Sequence, residues 1–483
     1  MKRYTTFIAA LLVIAQLAAC GETAGDQTVT TTADDTEPVT TDVFEGIGGK
    51  TYDGREFNFL IRETEIDDYF IEAETGDVLD DAVYKRNRMV EDRFDIEISP
   101  IKIDASWNAR STYIGTMRNS VMSGSGEYDL IDGYAAVIGD GFADHLFLNL
   151  HDVPNLRLDE AWWSSLVESE LTVNGKLYAM TGDLAINMWS NLFALYFNKQ
   201  TVEEFKRESP YDLVKSGKWT FDEFTKLAKL GLSDLNGDGV YDWENDRIGF
   251  GTGSHFANGL IYACGVKMIT NENDEYRYTF MNDSFVEKYS KLYKLLRETE
   301  SVKYDDCGGT SGMGYGLYPG FRADRILFLG TAIRTTEDMR DMTGDYGIIP
   351  YPLYDENQKD YITYNLGTAY MSVLLSAKNP EMSAVMLEAL NAENWKNVIP
   401  AYLDTALKGK YSRDEKTAGM IDLVNSASYF DFAFVNASTG TATWVGWNLL
   451  NGDENIASKY ESARVSLDTK LENLLELYTQ NNQ

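Results

Sequence analysis

A chain of 483 residues exceeds one ordinary core, so its length points to two domains or more. Hydrophobic residues at 44% and aromatics at 13% are ample for burial, while a formal charge of −33 excludes a nucleic-acid binder and adsorption on anionic lipid, both of which need a cationic face. The same charge reads as a solvated, aggregation-resistant surface.

Lys2 and Arg3 precede an apolar run, residues 7–15, that is too short to span a bilayer as a mature helix. The run ends in Leu17-Ala18-Ala19-Cys20, which resembles a bacterial lipobox. That resemblance implies a signal peptide over 1–19, removed on export, and a lipid on the Cys20 thiol. The competing reading is an ordinary secretory signal that holds a cysteine by chance. Residues 20–49 would then be the lipidated Cys and a disordered tether, since TVTTTADDTEPVTTD has hardly an apolar side chain to bury. With Cys20 on lipid, Cys264 and Cys307 remain as one disulfide or as two buried thiols.

The folded part opens with EFNFLI (56–61), a run suited to a buried strand, followed by an amphipathic helix over 81–94 (DAVYKRNRMVEDRF). Strand character returns at 95–101, a second helix covers about 112–122, and 128–131 is a further strand. Strand, helix, strand, helix, strand is the pattern of a parallel α/β sheet, whose ligands lie beyond the carboxyl ends of its strands. Thr220 is the expected N-cap of a helix that aligns Phe221, Phe224, Leu227 and Ala228 on one face. Further helices are expected at 283–298, 381–392 and 456–478.

The stretch 234–246, DLNGDGVYDWEND, has acidic or amide residues at alternate positions closing on Gly239. Asp234, Asn236 and Asp238 occupy positions 1, 3 and 5 of an EF-hand-like loop, and the Val240 carbonyl falls at position 7. Position 12 is Asn245 rather than Glu, so Asp246 is the expected closing carboxylate. A structural calcium ion is the expectation, against a solvated acidic turn without an ion. One loop without a partner loop suits bracing better than sensing.

The lipobox and tether, RNRMVEDRFDIEI, GEYDLIDGYAA, LTVNGKLYAMTGD, ALYFNKQTVEEF, GKWTFDEFTKLAK, the acidic loop, FRADRILFLG, DYGIIPYPL and TAYMSVLLSAKNPEMSAVMLEAL follow one another in this order. With KYSRDEKTAGMIDLV, they make the chain similar to the extracellular solute-binding proteins of carbohydrate ABC importers, the maltose-binding-protein-like group. The resemblance covers nearly the whole mature chain. It implies an α/β, two-lobe periplasmic-binding-protein-like fold of type II, each lobe a sheet flanked by helices and joined by hinge crossings. Residues 50–187 and 350–400 would form the first lobe, and 190–348 with 401–483 the second, the crossings softened by Pro350, Pro352 and Pro400. It further implies a monomer on the outer face of a Gram-positive cell membrane, held there only by its lipid, that hands a carbohydrate to the transmembrane subunits of an ABC permease.

No enzyme is expected. The three histidines His145, His151 and His255 enter no HExxH, and no GxSxG or Walker-type loop occurs. Sugar binding asks instead for aromatic platforms and hydrogen-bonding side chains. Where the family places its cleft, the candidates are Tyr134, Trp189, His255, Tyr318, Trp444 and Trp447, each weighed against core packing. Trp162 and Trp163 either pin a surface helix or touch ligand, and Trp219 is a packing residue at a helix start. The alternatives are the same fold binding a peptide or an acidic sugar, and a calcium-stabilised surface glycan enzyme or adhesion module.

Overall fold

The computed structural model describes residues 44–305, 312–365, 367–411, 414–436, 440 and 443–479. The expected signal segment, Cys20, the tether as far as residue 43 and Cys307 lie outside them. Composition extended the tether to 49, but Phe44 and Ile47 are buried, and Phe44 meets Phe94 edge-on with ring centroids 5.6 Å apart.

Strand β1 (Arg55–Arg62) is followed by the helix Val78–Phe94, β2 (Ile96–Ile103), the helix Arg110–Ser123, β3 (Leu130–Tyr134) and the helix Ala135–Ala143. The first helix starts earlier than its apolar face suggests, because Asp77 caps it by accepting from the Leu79 N–H. The chain continues through β4 (Phe193–Asn198), the helix Phe221–Leu230, β5 (Ile248–Thr252) and the helix Ser254–Ala263. A hairpin of β6 (Ile269–Glu272) and β7 (Glu275–Tyr278) turns at Asn273 and Asp274, both with positive φ. Then come the helix Asp283–Tyr293, β8 (Val302–Tyr304), β9 (Ile326–Ala332), β10 (Tyr346–Ile349), β11 (Thr363–Tyr364) and β12 (Ala369–Ser372). The helices Pro380–Glu393 and Glu415–Ser426, β13 (Ser428–Tyr429), and the helices Trp444–Leu450 and Ile456–Thr479 complete the order used below.

Two sheets carry the fold. The first has the order β12-β3-β1-β2, parallel except for β12. Pro100 lies in β2, at the edge, where a missing N–H is tolerated. The second has the order β10-β4-β9-β5-β8, in which β4 alone runs against its neighbours. Residues 55–134 and 369–372 supply the first sheet, and 193–349 the second. β11 pairs with β13 in a separate two-stranded ladder.

The strands are nearly continuous apolar runs because helices cover both faces. The helix Phe221–Leu230 is capped as expected, Thr220 Oγ1 accepting from the Glu223 N–H, and its four predicted apolar residues are buried. It packs so closely on β5 that a Cβ at Gly249 would fall 1.7 Å from the Ala228 carbonyl oxygen. Residues 382–393 of the helix Pro380–Glu393 are all buried. Among the described residues no helix is long and apolar enough to cross a membrane.

Candidate functional site

The parallel strands of the first sheet end at Arg62 and Tyr134, and those of the second at Thr252, Tyr304, Ala332 and Ile349. Side chains just past the ends of the two sheets come within electrostatic reach of one another. At the first edge Arg62 grips the buried Asp132 with Nε 2.7 Å from Oδ2 and Nη2 3.1 Å from Oδ1. The Tyr69 hydroxyl donates to the same carboxylate, and the Arg62 guanidinium carbon lies 5.7 Å from the Tyr134 ring centroid. Burial pulls the Arg62 guanidinium down, but Asp132 and Glu65 outweigh it, so the ion pair is fixed.

Glu65 and Asp68 follow β1, and Arg334 follows β9. Arg334 is within electrostatic reach of both carboxylates and is hydrogen-bonded to Tyr315. Its guanidinium is held up by Tyr315 and Glu65 against the pull of burial. Burial, then Glu65 and Asp132, pushes the Asp68 carboxyl up, with Arg62 and Arg334 opposing. His255, at the start of the helix after β5, is lowered to about 4 by burial and then by Arg334, so its imidazole is neutral near pH 7. Tyr134 lies beside Arg62, which pairs with Glu65 at 3.9 Å, while Arg334 of the second sheet is within electrostatic reach of Glu65 and of His255, so two of the sequence-predicted residues flank one group of charges.

Asn187, in the segment before β4, ties two parts of the first sheet. Its amide donates to Glu65 Oε2 at 3.0 Å, and its Oδ1 accepts from the Ala369 N–H at 2.8 Å. Two residues on, half-buried Trp189 donates its indole N–H to Asp183 Oδ1 at 3.1 Å. Burial lifts the Asp183 carboxyl to about 7, Trp189 opposing.

The other aromatics divide. Tyr318 is a packing residue, 3% exposed, its hydroxyl lodged between Thr331 Oγ1 and Thr335 Oγ1 at 2.5 and 2.9 Å. Trp444 packs against Phe280 and Tyr460, whereas Trp447, one turn on, is 44% exposed. Their helix lies directly on Ser254–Ala263, where a Cβ at Gly446 would meet Asn258 Oδ1 at 1.5 Å. Trp162 and Trp163 are buried and donate their indole N–H groups to the two oxygens of Glu388, at 2.9 and 3.0 Å. Trp219 is fully buried, as expected.

Sequence reasoning missed Trp107. It follows β2 at the first edge, is 68% exposed, and has the Arg110 guanidinium carbon 4.1 Å from its ring centroid. The signal available was a tryptophan in the loop after an expected strand. Glu65, Asp68 and Arg334 were missed as well.

In the acidic loop, Asp234, Asp238 and Asp246 each offer a carboxylate oxygen within 4.8 Å of the others. Asp234 is pinned by the Gly237 and Gly239 N–H groups at 2.6 and 3.0 Å, and Asn236 Oδ1 accepts from the Asp238 N–H. Val240 donates its N–H to Asp238 Oδ1 at 2.8 Å. The Leu235 N–H, the largest influence, holds the Asp246 carboxyl below the usual range, so it stays ionised. Converging carboxylate oxygens on a loop with this residue spacing fit a hard divalent cation. Cys264 is a buried free thiol.

No family model matches the sequence, and no curated protein matches it. Solved structures do match. The galacto-N-biose/lacto-N-biose I-binding protein of the ABC transporter from Bifidobacterium longum, in complex with lacto-N-biose, aligns with a TM-score of 0.58 at 14% identity over 88% of this chain and 99% of that one. An ABC substrate-binding protein from Listeria monocytogenes in complex with cycloalternan gives 0.55 at 14% identity, covering 89% and 100%. The ABC transporter-associated binding protein from B. animalis subsp. lactis, in complex with beta-1,6-galactobiose, also gives 0.55 at 14%, covering 87% and 98%. The chain has the periplasmic-binding-protein-like fold of these sugar-binding proteins.

Proposed function

We propose that this chain is an extracellular, lipid-anchored binding protein that captures a sugar or oligosaccharide between two lobes and delivers it to the transmembrane subunits of an ABC permease. The observation that carries the reading is that Arg334, past the end of β9, lies within electrostatic reach of Glu65 and Asp68 past the end of β1 and of neutral His255, in a chain with the fold of solved sugar-binding proteins. Residues 50–187 with 350–400, and 190–348 with 401–483, are the proposed lobes. The last turn of the C-terminal helix reaches across this division, since Tyr478 meets Phe142 and Tyr178 at 4.4 and 5.6 Å.

Ring hydroxyls would pair with these carboxylates, the Asn187 region and the Arg334 guanidinium. Tyr134, Trp189, Trp447 and exposed Trp107 would supply apolar platforms. No bond is made or broken. Ligand contacts with both edges stabilise the closed arrangement, and closure is what the permease reads. Calcium on Asp234, Asn236, Asp238, the Val240 carbonyl and Asp246 would brace the second lobe, supplying positive charge to a loop otherwise strained by like charges. The mature protein would act as a monomer, held to the membrane by Cys20.

Calorimetry of the soluble domain against a panel of mono- and oligosaccharides tests the reading. Binding of at least one sugar without hydrolysis is expected. Hydrolysis, or binding of peptides and no sugar, would overturn it.

A further inference from the structure

Beside the C-terminal end of β8 an open cavity of about 400 Å³ is lined by Tyr241, Asp242, Trp243, Glu244, Lys303, Tyr304 and Asp305. That volume is within the range of small-molecule sites, roughly 300–1,000 Å³. The cavity adjoins the edge described above. The Asp305 N–H donates to the Thr252 carbonyl, where β5 ends, and Asp305 Oδ2 accepts from the Gly316 N–H at 2.9 Å. Gly316 and Leu317 also line it, and they directly follow Tyr315, the partner of Arg334.

The wall is built to hold still. Trp243 is only partly exposed, and Gly320 lies against its ring so closely that a Cβ there would come 2.9 Å from Trp243 Cε3. The Asp242 N–H donates to the buried Asp246, and the Asp242 carboxylate accepts from the Asn245 N–H at 2.8 Å, which ties the segment carrying Tyr241 and Trp243 to the acidic loop. Aromatic rings interleaved with carboxylates suit the C–H faces and hydroxyls of a sugar ring. Asp242, Glu244 and Asp305 outnumber Lys303, so the lining is net negative and repels an anionic ligand.

We propose that this cavity is an outer subsite for a neutral oligosaccharide, holding a terminal sugar ring against Trp243 while the rest of the chain lies between the two sheet edges. The proposal rests on the sugar-binding reading and extends it: ligand length is selected here, away from the Arg62–Asp132 ion pair at the end of β1.

The test is calorimetry of the intact soluble domain with a neutral oligosaccharide series from mono- to hexasaccharide, and with the matching oligouronates. In the wild-type chain affinity should rise with length and fall for the uronates. Trp243→Ala and, separately, Lys303→Ala should each remove about tenfold of the gain with length and leave the shortest bound sugar unaffected. Should Trp243→Ala fail to fold, Lys303→Ala on the cavity's other wall carries the test. A gain with length unchanged in the folded variants, affinity independent of length in the wild type, or uronates bound as tightly as neutral chains would overturn the subsite and leave the sugar-binding reading standing. Failure of every carbohydrate to bind would overturn that reading together with the subsite.

Discussion

Asn187 donates to Glu65 across 3.0 Å while accepting from the backbone of Ala369, so one buried amide ties the segment after β1, the segment before β4 and the start of β12. Replacing it with alanine leaves a buried donor on Ala369 without its partner. Asn187→Ala should cost on the order of 1–3 kcal/mol of stability and weaken sugar binding, because Glu65 loses the donor that fixes its carboxylate past the end of β1. Denaturant unfolding and calorimetry check both, and an unchanged unfolding midpoint would show that these two hydrogen bonds do not hold the segment in place.

Trp107 and Trp444 should behave oppositely. Trp107 has only Arg110 stacked on it and is otherwise open, so Trp107→Ala should lower sugar affinity about tenfold with little change in melting temperature. Trp444 is wedged by Phe280 and Tyr460, so Trp444→Ala should lower the melting temperature first. Unaltered affinity in Trp107→Ala would remove it as a platform.

Millimolar calcium should raise the melting temperature, because an ion that binds only the folded loop stabilises it by mass action. Asp246→Asn should abolish that increment, since Asp246 is the buried closing carboxylate. Identical melting in chelator and in calcium would refute the ion site.

Cys20→Ala should release the protein from membranes in its native host, given the Leu-Ala-Ala-Cys sequence that ends the apolar run. Fractionation is the measurement. Retention unchanged by the substitution ends the lipid assignment.

Burial raises the Glu388 carboxyl to about 7, against the donors Arg157, Trp163 and Trp162. An unfolded glutamate ionises near pH 4.3. Between roughly pH 4 and 7 the folded chain therefore binds more protons at this site than the unfolded one, so its contribution is fully present below that window and is lost as the pH rises through 7. Glu388→Gln turns an amide donor toward one indole N–H and should destabilise by roughly 1–3 kcal/mol at pH 5. The gap to the wild type should narrow by pH 8, and a constant gap in parallel urea titrations would contradict the shift.

Local signals were legible where the cause is local. EFNFLI reads as a strand because a doubly covered strand is apolar throughout, and Thr220 reads as a cap because its hydroxyl serves a donor three residues away. Phe44 and Ile47 were lost in a polar segment because two apolar residues do not move its composition. Tyr318 and Trp444 carried the same local signal as a binding aromatic. What holds them, Thr331 and Thr335 around the buried Tyr318 and Phe280 with Tyr460 against the half-buried Trp444, comes from other elements. That Arg334 comes within electrostatic reach of Glu65 depends on two sheets distant in sequence, and no periodicity within either segment encodes it.

The shared carboxylate of Trp162 and Trp163 also decides how this protein can be watched by light. Both indoles donate to Glu388, and Trp219 donates to the Pro350 carbonyl at 3.1 Å in a fully buried setting, so three of the nine tryptophans emit from fixed, solvent-free surroundings. The first two will follow the charge on Glu388 as it titrates near pH 7, with or without a sugar. A ligand-dependent change in intrinsic fluorescence must therefore come from wetter rings such as Trp107, Trp189 and Trp447, as a small increment on a large constant signal. A fluorescence titration buffered loosely around neutrality would record protons and mistake them for sugar.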